Sequence, residues 1–143
     1  MESPNPYAPP ASDVTDLPPD ERINALDVSA KWKERFLAIA HAGGPKLPHF
    51  KQLPKTERRK AMGLNVLAFL FGPFYYLAKG MWKRGLVYFA LGAVAIVIVG
   101  LLLEYFGFGA LARSLHFGLA AVYGLRANID FYKKTVEGDN GWW

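Results

Sequence analysis

Residues 85–103 run for nineteen positions without a charge, and Lys83 and Arg84 stand immediately before them. At 1.5 Å per residue such a stretch forms a helix of about 28 Å, close to the ~30 Å thickness of a bilayer's hydrocarbon. Twelve of the nineteen are Leu, Ile, Val or Phe. Each contributes about −0.3 to −0.6 kcal/mol on the insertion scale, so the segment is expected to cross a membrane. In a chain of 143 residues, long apolar stretches of this kind leave no room for a large soluble core.

The charge is divided along the chain. Residues 1–27 carry six acids against Arg22 alone, whereas residues 28–60 carry nine bases and two acids. Basic charge ahead of apolar spans points to a cytoplasmic flank facing anionic headgroups, each Lys or Arg near the surface being worth about 1 kcal/mol. Nucleic acid is the competing partner, because Trp32, Phe36 and Phe50 are interleaved with the bases. No recognition motif accompanies them, and the bilayer accounts for the charge. The chain has no Cys, which excludes disulfides and thiolate metal sites. The start is acidic and rich in proline, unlike a cleavable signal peptide.

Four segments follow from composition and periodicity. Residues 1–28 read as an unstructured acidic, Pro-rich tail, in which Asn5 to Pro10 could dock in an aromatic groove of a protein partner. Residues 29–60 read as a cytoplasmic amphipathic helix and a basic connector. Trp32, Phe36, Ile39 and Ala40 fall at helical spacing, and Gly43-Gly44-Pro45 ends the helix. Its apolar face either packs on the rest of the protein or lies among headgroups. Residues 61–134 read as a helical membrane domain, and residues 135–143 as a C-terminal tail.

Within the membrane domain, residues 61–78 are free of charge but interrupted by Gly72-Pro73. A full crossing would place one of two basic clusters outside, against the tendency of Lys and Arg to stay cytoplasmic. A re-entrant form is therefore expected, with a kinked full span as the alternative. After residues 85–103, the aromatic turn at 104–109 suits the outer face, and residues 110–125 return, with Arg126 snorkelling towards the cytoplasmic exit. Ala90, Ala93 and Gly100 on one helix, and Ala110, Ser114 and Gly118 on the other, form small faces for hairpin packing or for association into a homo-oligomer. The fold class expected is all-α: a re-entrant or kinked helix plus a two-helix transmembrane hairpin, multi-pass, with a cytoplasmic N-terminus.

The polar residues near the membrane are Asn65, Glu104, Arg113, His116, Arg126, Asn128 and Asp130. An ionisable group within a span is a functional candidate by default, which singles out His116 as a proton relay or as a hydrogen-bond donor to the neighbouring helix. Glu104 and Arg113 are expected to pair across the turn. Asn65 would satisfy backbone groups freed near Pro73, and Asn128 would bridge the returning helix to the basic flank. Lys79, Trp82, Lys83 and Arg84 form an interface element, cations for phosphates and Trp for the glycerol region. His41 and His49 lack metal-ligand spacing, and the sequence has no nucleophile set or phosphate loop, so neither cofactor nor enzymatic activity is expected.

Two stretches, Trp32-Lys33-Glu34-Arg35-Phe36 followed by Gly43-Gly44, and residues 65–83 around Gly72-Pro73 and Lys79-Gly80-Met81-Trp82-Lys83, resemble the bacterial inner-membrane family catalogued as the domain of unknown function numbered 2628. The likeness extends over about residues 28–134 and includes Arg126-Ala127-Asn128 ahead of Phe131-Tyr132. It implies an inner-membrane location and no established activity. Some relatives carry a Cys-rich metal ribbon ahead of the membrane part, and this chain, without Cys, departs from that pattern. The expected role is that of a non-enzymatic adaptor or regulator working through the cytoplasmic segment. A transport or permeation component, or an immunity-type protective partner, is the alternative.

Overall fold

The paired prolines Pro18 and Pro19 do not prevent a helix, because a proline is tolerated in the first turn. In the computed structural model, which describes residues 17–143, Pro19 opens helix α1 (Pro19–Ala25) with Asp20 and Glu21 in its first turn. There the missing proline N–H costs nothing and the carboxylates complement the helix dipole. Ile23 is fully buried, so the tail expected over 1–28 is replaced from Pro19 by a helix docked on the core. Asn5 to Pro10, the peptide expected to meet a partner, lies outside the described residues.

Helix α2 (Ala30–His41) buries Phe36, Ala38 and Ile39, which settles its apolar face as packing within the protein. Gly43 and Gly44, both at φ 90°, return their N–H groups to the carbonyls of Ala40 and Ile39 and stop the helix. A 3-10 turn (Phe50–Gln52) leads to α3 (Lys55–Met62), where the basic connector was expected.

The segment around Gly72-Pro73 forms two six-residue helices, α4 (Val66–Phe71) and α5 (Pro73–Ala78), each only about 9 Å long. Gly72 sits at φ 46°, where a side chain would be strained, and Pro73 supplies a preset φ for the first turn of α5. The chain doubles back here: Asn65, capping α4, reaches the Tyr75 hydroxyl of α5 at 3.0 Å. The segment is thus broken into two short helices at Gly72-Pro73.

Helix α6 (Trp82–Tyr105) is about 36 Å long. Among the described residues it is the one helix long and apolar enough to cross a membrane, and its most apolar stretch has no buried residue. It is followed by the four-residue α7 (Gly109–Ala112) and by α8 (Leu115–Val136), which runs antiparallel to it. Tyr123 bonds to Gly85 and, farther out, Leu115 lies beside Gly100. The returning helix thus starts at Leu115, five residues later than residue 110, because Arg113 and Ser114 form the turn after α7.

That turn resets the helical phase. Leu115 and Leu119 face α6, with Gly92 at the closest approach to Leu119, whereas a side chain at Gly118 would meet open space. The expected Ala110, Ser114 and Gly118 seam does not form within the hairpin.

All described elements are helical, and two regions differ in kind. The head, built from α1 to α5, the start of α6 and the second half of α8, holds the core of Phe36, Ile39, Tyr76, Met81, Tyr123 and Tyr132. Between residues 86 and 122 nothing is buried. The outer hairpin and the outward faces of α4 and α5 form one run of exposed apolar side chains, including Leu67, Leu70, Phe71, Phe74, Leu77 and Leu86.

Candidate functional site

The second half of α8 turns from apolar to polar at Arg126, Asn128 and Asp130, and there the helix enters the head. Asp130 is fully buried. Its Oδ2 accepts hydrogen bonds from the hydroxyls of Tyr76 (2.8 Å) in α5 and Tyr88 (2.9 Å) in α6. Arg126, one turn earlier, places Nη2 at 3.6 Å from Oδ1 and donates through Nε to Tyr88 at 3.4 Å. A buried carboxylate needs such partners, because burial unpaired costs several kcal/mol.

Arg84 is fully buried as well. Its Nη1 donates to the Asp130 carbonyl at 3.2 Å, and its Nη2 lies 2.8 Å from Asp139 Oδ2 as an ion pair without hydrogen-bond alignment. The interface role expected for Arg84 is therefore replaced by a structural one: it ties α6 to α8 and to the chain beyond. Two cations and two carboxylates balance in this joint.

A second knot holds the broken segment. The Asn65 side chain accepts from Ala68 N–H at 3.1 Å, capping α4, and donates to Tyr75 and to Asn128 Oδ1 (3.2 Å). Asn128 in turn donates to the Gly63 carbonyl at 2.8 Å. Asn65, Gly72, Pro73 and Asn128 are thus brought together where α4, α5 and α8 meet. Gly72 lets the backbone pass beside the Tyr123 ring, where a Cβ would stand 3.4 Å from the ring.

Trp32 packs on Phe131, with ring centroids 4.6 Å apart. Arg35 lies over the Trp32 ring at 4.9 Å, and Lys79 Nζ lies 5.5 Å from Trp32 and 4.9 Å from Phe131. Trp32, Arg35 and Lys79 border a cleft of about 260 Å³ that continues along Leu64, Val66 and Leu67.

The remaining candidates are scattered. Trp82 is half exposed and stacks edge-on with Trp142 at 5.7 Å, and Lys83 follows it at the start of α6. His116 is exposed, rests on Phe117 at 4.1 Å, makes no hydrogen bond to α6 among the described residues, and lines a groove of about 420 Å³ with Gly72, Pro73 and Phe89. No ion pair joins Glu104 and Arg113 among the described residues, although both line the same shallow depression near the hairpin tip. The phase change at α7 accounts for the direction of His116, which lies in the first turn of α8.

Outside the hairpin, His41 joins α1, α2 and α3 through Asp20 (3.3 Å) and Glu57 (3.2 Å). Partial burial opposes its charging, but bonds to the two carboxylates outweigh it and hold its pKa above the usual value. Burial pushes the Glu137 carboxyl up, and the Gly141 N–H holds the Asp139 carboxyl below the usual range.

In the sequence Arg35 is one base among nine, Tyr88 one uncharged residue of the long apolar run, and Tyr76 an expected interface ring that is instead fully buried here. The i, i+4 spacing of Arg126 and Asp130 was the one local sign of the joint.

Over residues 27–136 the chain matches the family described as "Protein of unknown function (DUF2628)". The chain belongs to this family. A relative in Salmonella typhimurium, "Uncharacterized protein YigF", is 35% identical over 129 residues, covering 84% of this chain and 94% of the relative. The protein of the same name in Escherichia coli (strain K12) is 29% identical over 129 residues, covering 85% and 96%. No solved structure matches the chain. The matched span takes in the aromatic cleft and the buried joint except for Asp139.

Proposed function

We propose that the chain is a helical protein of the bacterial inner membrane whose hairpin crosses the bilayer and whose head, on the cytoplasmic side, serves as an adaptor or regulator without catalysis. The observation that carries this reading is the continuous exposed apolar surface of α4, α5, α6 and the outer part of α8, set against a polar, basic head. A monomer in water rarely exposes so large an apolar patch. Trp82 and Trp142 at the base of the hairpin suit the headgroup level, where amphipathic rings concentrate. The doubled-back α4 and α5 enter only part of the way, their polar backbone ends held by the Asn65 and Asn128 knot, as irregular backbone near hydrocarbon requires.

The head also keeps its charged edges together. Asn140 donates to the Gly80 carbonyl, Lys134 to that of Lys79, and Arg22 to that of Val136. The loop before α6, the C-terminal end of α8 and α1 therefore share one side of the head, and the predominance of Lys and Arg there supports a cytoplasmic placement.

A transport role would draw on the charged residues of the outer hairpin, Glu104, Arg113 and His116, whereas an adaptor draws on the head. In cells lacking the protein, at equal membrane abundance, His116→Gln is expected to restore the wild-type phenotype. Charge reversal of exposed head residues, Lys31→Glu with Lys51→Glu, is expected not to. The opposite ranking in this complementation assay would replace the adaptor reading with a proton-linked one.

A further inference from the structure

We propose that the cleft between α2 and the doubled-back α4 and α5 is a binding site for the phosphate of one anionic glycerophospholipid, held by Arg35 and Lys79 with its acyl chains along α4. This inference rests on the membrane placement above and deepens it from general affinity for a bilayer to one defined lipid site.

Both cations border the cleft, and neither has an ion-pair partner among the described residues. The aromatic rings hold them in place: Arg35 rests over Trp32, and Lys79 rests against Trp32 and Phe131. Cations packed on rings retain their charge and their N–H donors for a ligand. Tyr75 also lines the cleft, and its hydroxyl lies at the Asn65 side chain. It accepts from Asn65 and donates to no group among the described residues, which leaves its proton for a phosphate oxygen.

Two features choose the ligand. Leu64, Val66 and Leu67 form the opposite lip and are about half exposed, at 47%, 58% and 57%. A free phosphate has no use for an apolar lip, whereas acyl chains do. No carboxylate lines the cleft, so an ammonium headgroup has no partner there, and an anionic headgroup is favoured over a zwitterionic one.

The test uses the full chain purified in mild detergent and examined by native mass spectrometry with added phosphatidylglycerol, phosphatidylcholine or inorganic phosphate. The wild type is expected to retain one phosphatidylglycerol in preference to phosphatidylcholine. The double variant Arg35→Gln, Lys79→Gln should lose roughly tenfold or more in apparent affinity, as expected for two interfacial cations. Lys31→Gln with Lys51→Gln, at exposed positions, should bind as the wild type does. Equal loss in that control would reduce the effect to surface charge, equal retention of phosphatidylcholine would remove the headgroup preference, and displacement by millimolar inorganic phosphate would make the site one for free anions. Each of these overturns the proposal. Carbonate extraction of the same variants keeps the two readings apart: the double variant should remain in the membrane pellet, and loss of the wild type itself from the pellet would instead overturn the membrane placement.

Discussion

Asp130→Ala should unfold the junction between head and hairpin at a markedly lower temperature than the wild type, with a loss of about 3–5 kcal/mol. The substitution leaves the Tyr76 and Tyr88 hydroxyls without their acceptor and the Arg126 guanidinium without the carboxylate it pairs with at 3.6 Å. Removing one member of a buried charged set costs more than the set contributes, because the partners stay desolvated and unpaired. Tyr88→Phe removes one neutral donor to the carboxylate and should cost about 1–3 kcal/mol, as bonds to charged groups do. Thermal unfolding in detergent followed by circular dichroism reads both. An Asp130→Ala midpoint equal to that of Tyr88→Phe would mean that the joint is not coupled as the distances indicate.

Gly85→Val should be nearly as damaging, and Gly118→Leu should be close to neutral. A Cβ on Gly85 would stand 2.8 Å from the Cβ of Tyr76, an atom at the root of a side chain whose hydroxyl is bonded to Asp130. Neither partner can rotate away, so overpacking of about 1–3 kcal/mol is expected, together with loss of the Tyr123 bond to the Gly85 carbonyl. Gly118 has no atom within 4 Å of its would-be Cβ, and a leucine there only adds to the apolar outer surface. Aggregation midpoints of the two purified variants give the comparison. A larger drop for Gly118→Leu would restore the four-residue seam that the sequence suggests.

The contrast between these two glycines shows what a single sequence discloses. The long α6 is legible because nineteen uncharged residues leave a helix few alternatives, and the break at Gly72-Pro73 is legible because local backbone chemistry dictates it. The register of α8 is not, since the four-residue α7 and the turn at Arg113 and Ser114 shift the phase of everything after them. Gly118 therefore falls outside the seam, and His116 is exposed and makes no hydrogen bond to α6 among the described residues. Helix α1 was hidden by Pro18 and Pro19, which read as breakers until Ile23 finds the core.

The site was less legible for a different reason. Tyr76 and Asp130 are 54 positions apart, and Arg84 meets the Asp130 carbonyl across 46, so their partnership exists only once α5, α6 and α8 converge. In the sequence Arg84 looks like one more flanking cation, because nothing local distinguishes a buried guanidinium from an exposed one. Asn65 and Asn128, by contrast, stood out as polar residues in apolar surroundings, which need hydrogen-bond partners wherever they settle.

The placement of the hairpin across a membrane, with the head on one side, is tested most directly by thiol accessibility, and the absence of native Cys gives a clean background. Single cysteines at Gln52, Lys83, Phe106 and Glu137 would be treated in intact cells, stripped of their outer membrane, with a thiol reagent that cannot cross a bilayer. Phe106, beside the hairpin tip and 67% exposed, should react at once, while the other three should react only after the inner membrane is opened. Reaction of Gln52, Lys83 or Glu137 in sealed cells, or silence at Phe106 until opening, would contradict a bilayer-crossing hairpin with a cytoplasmic head.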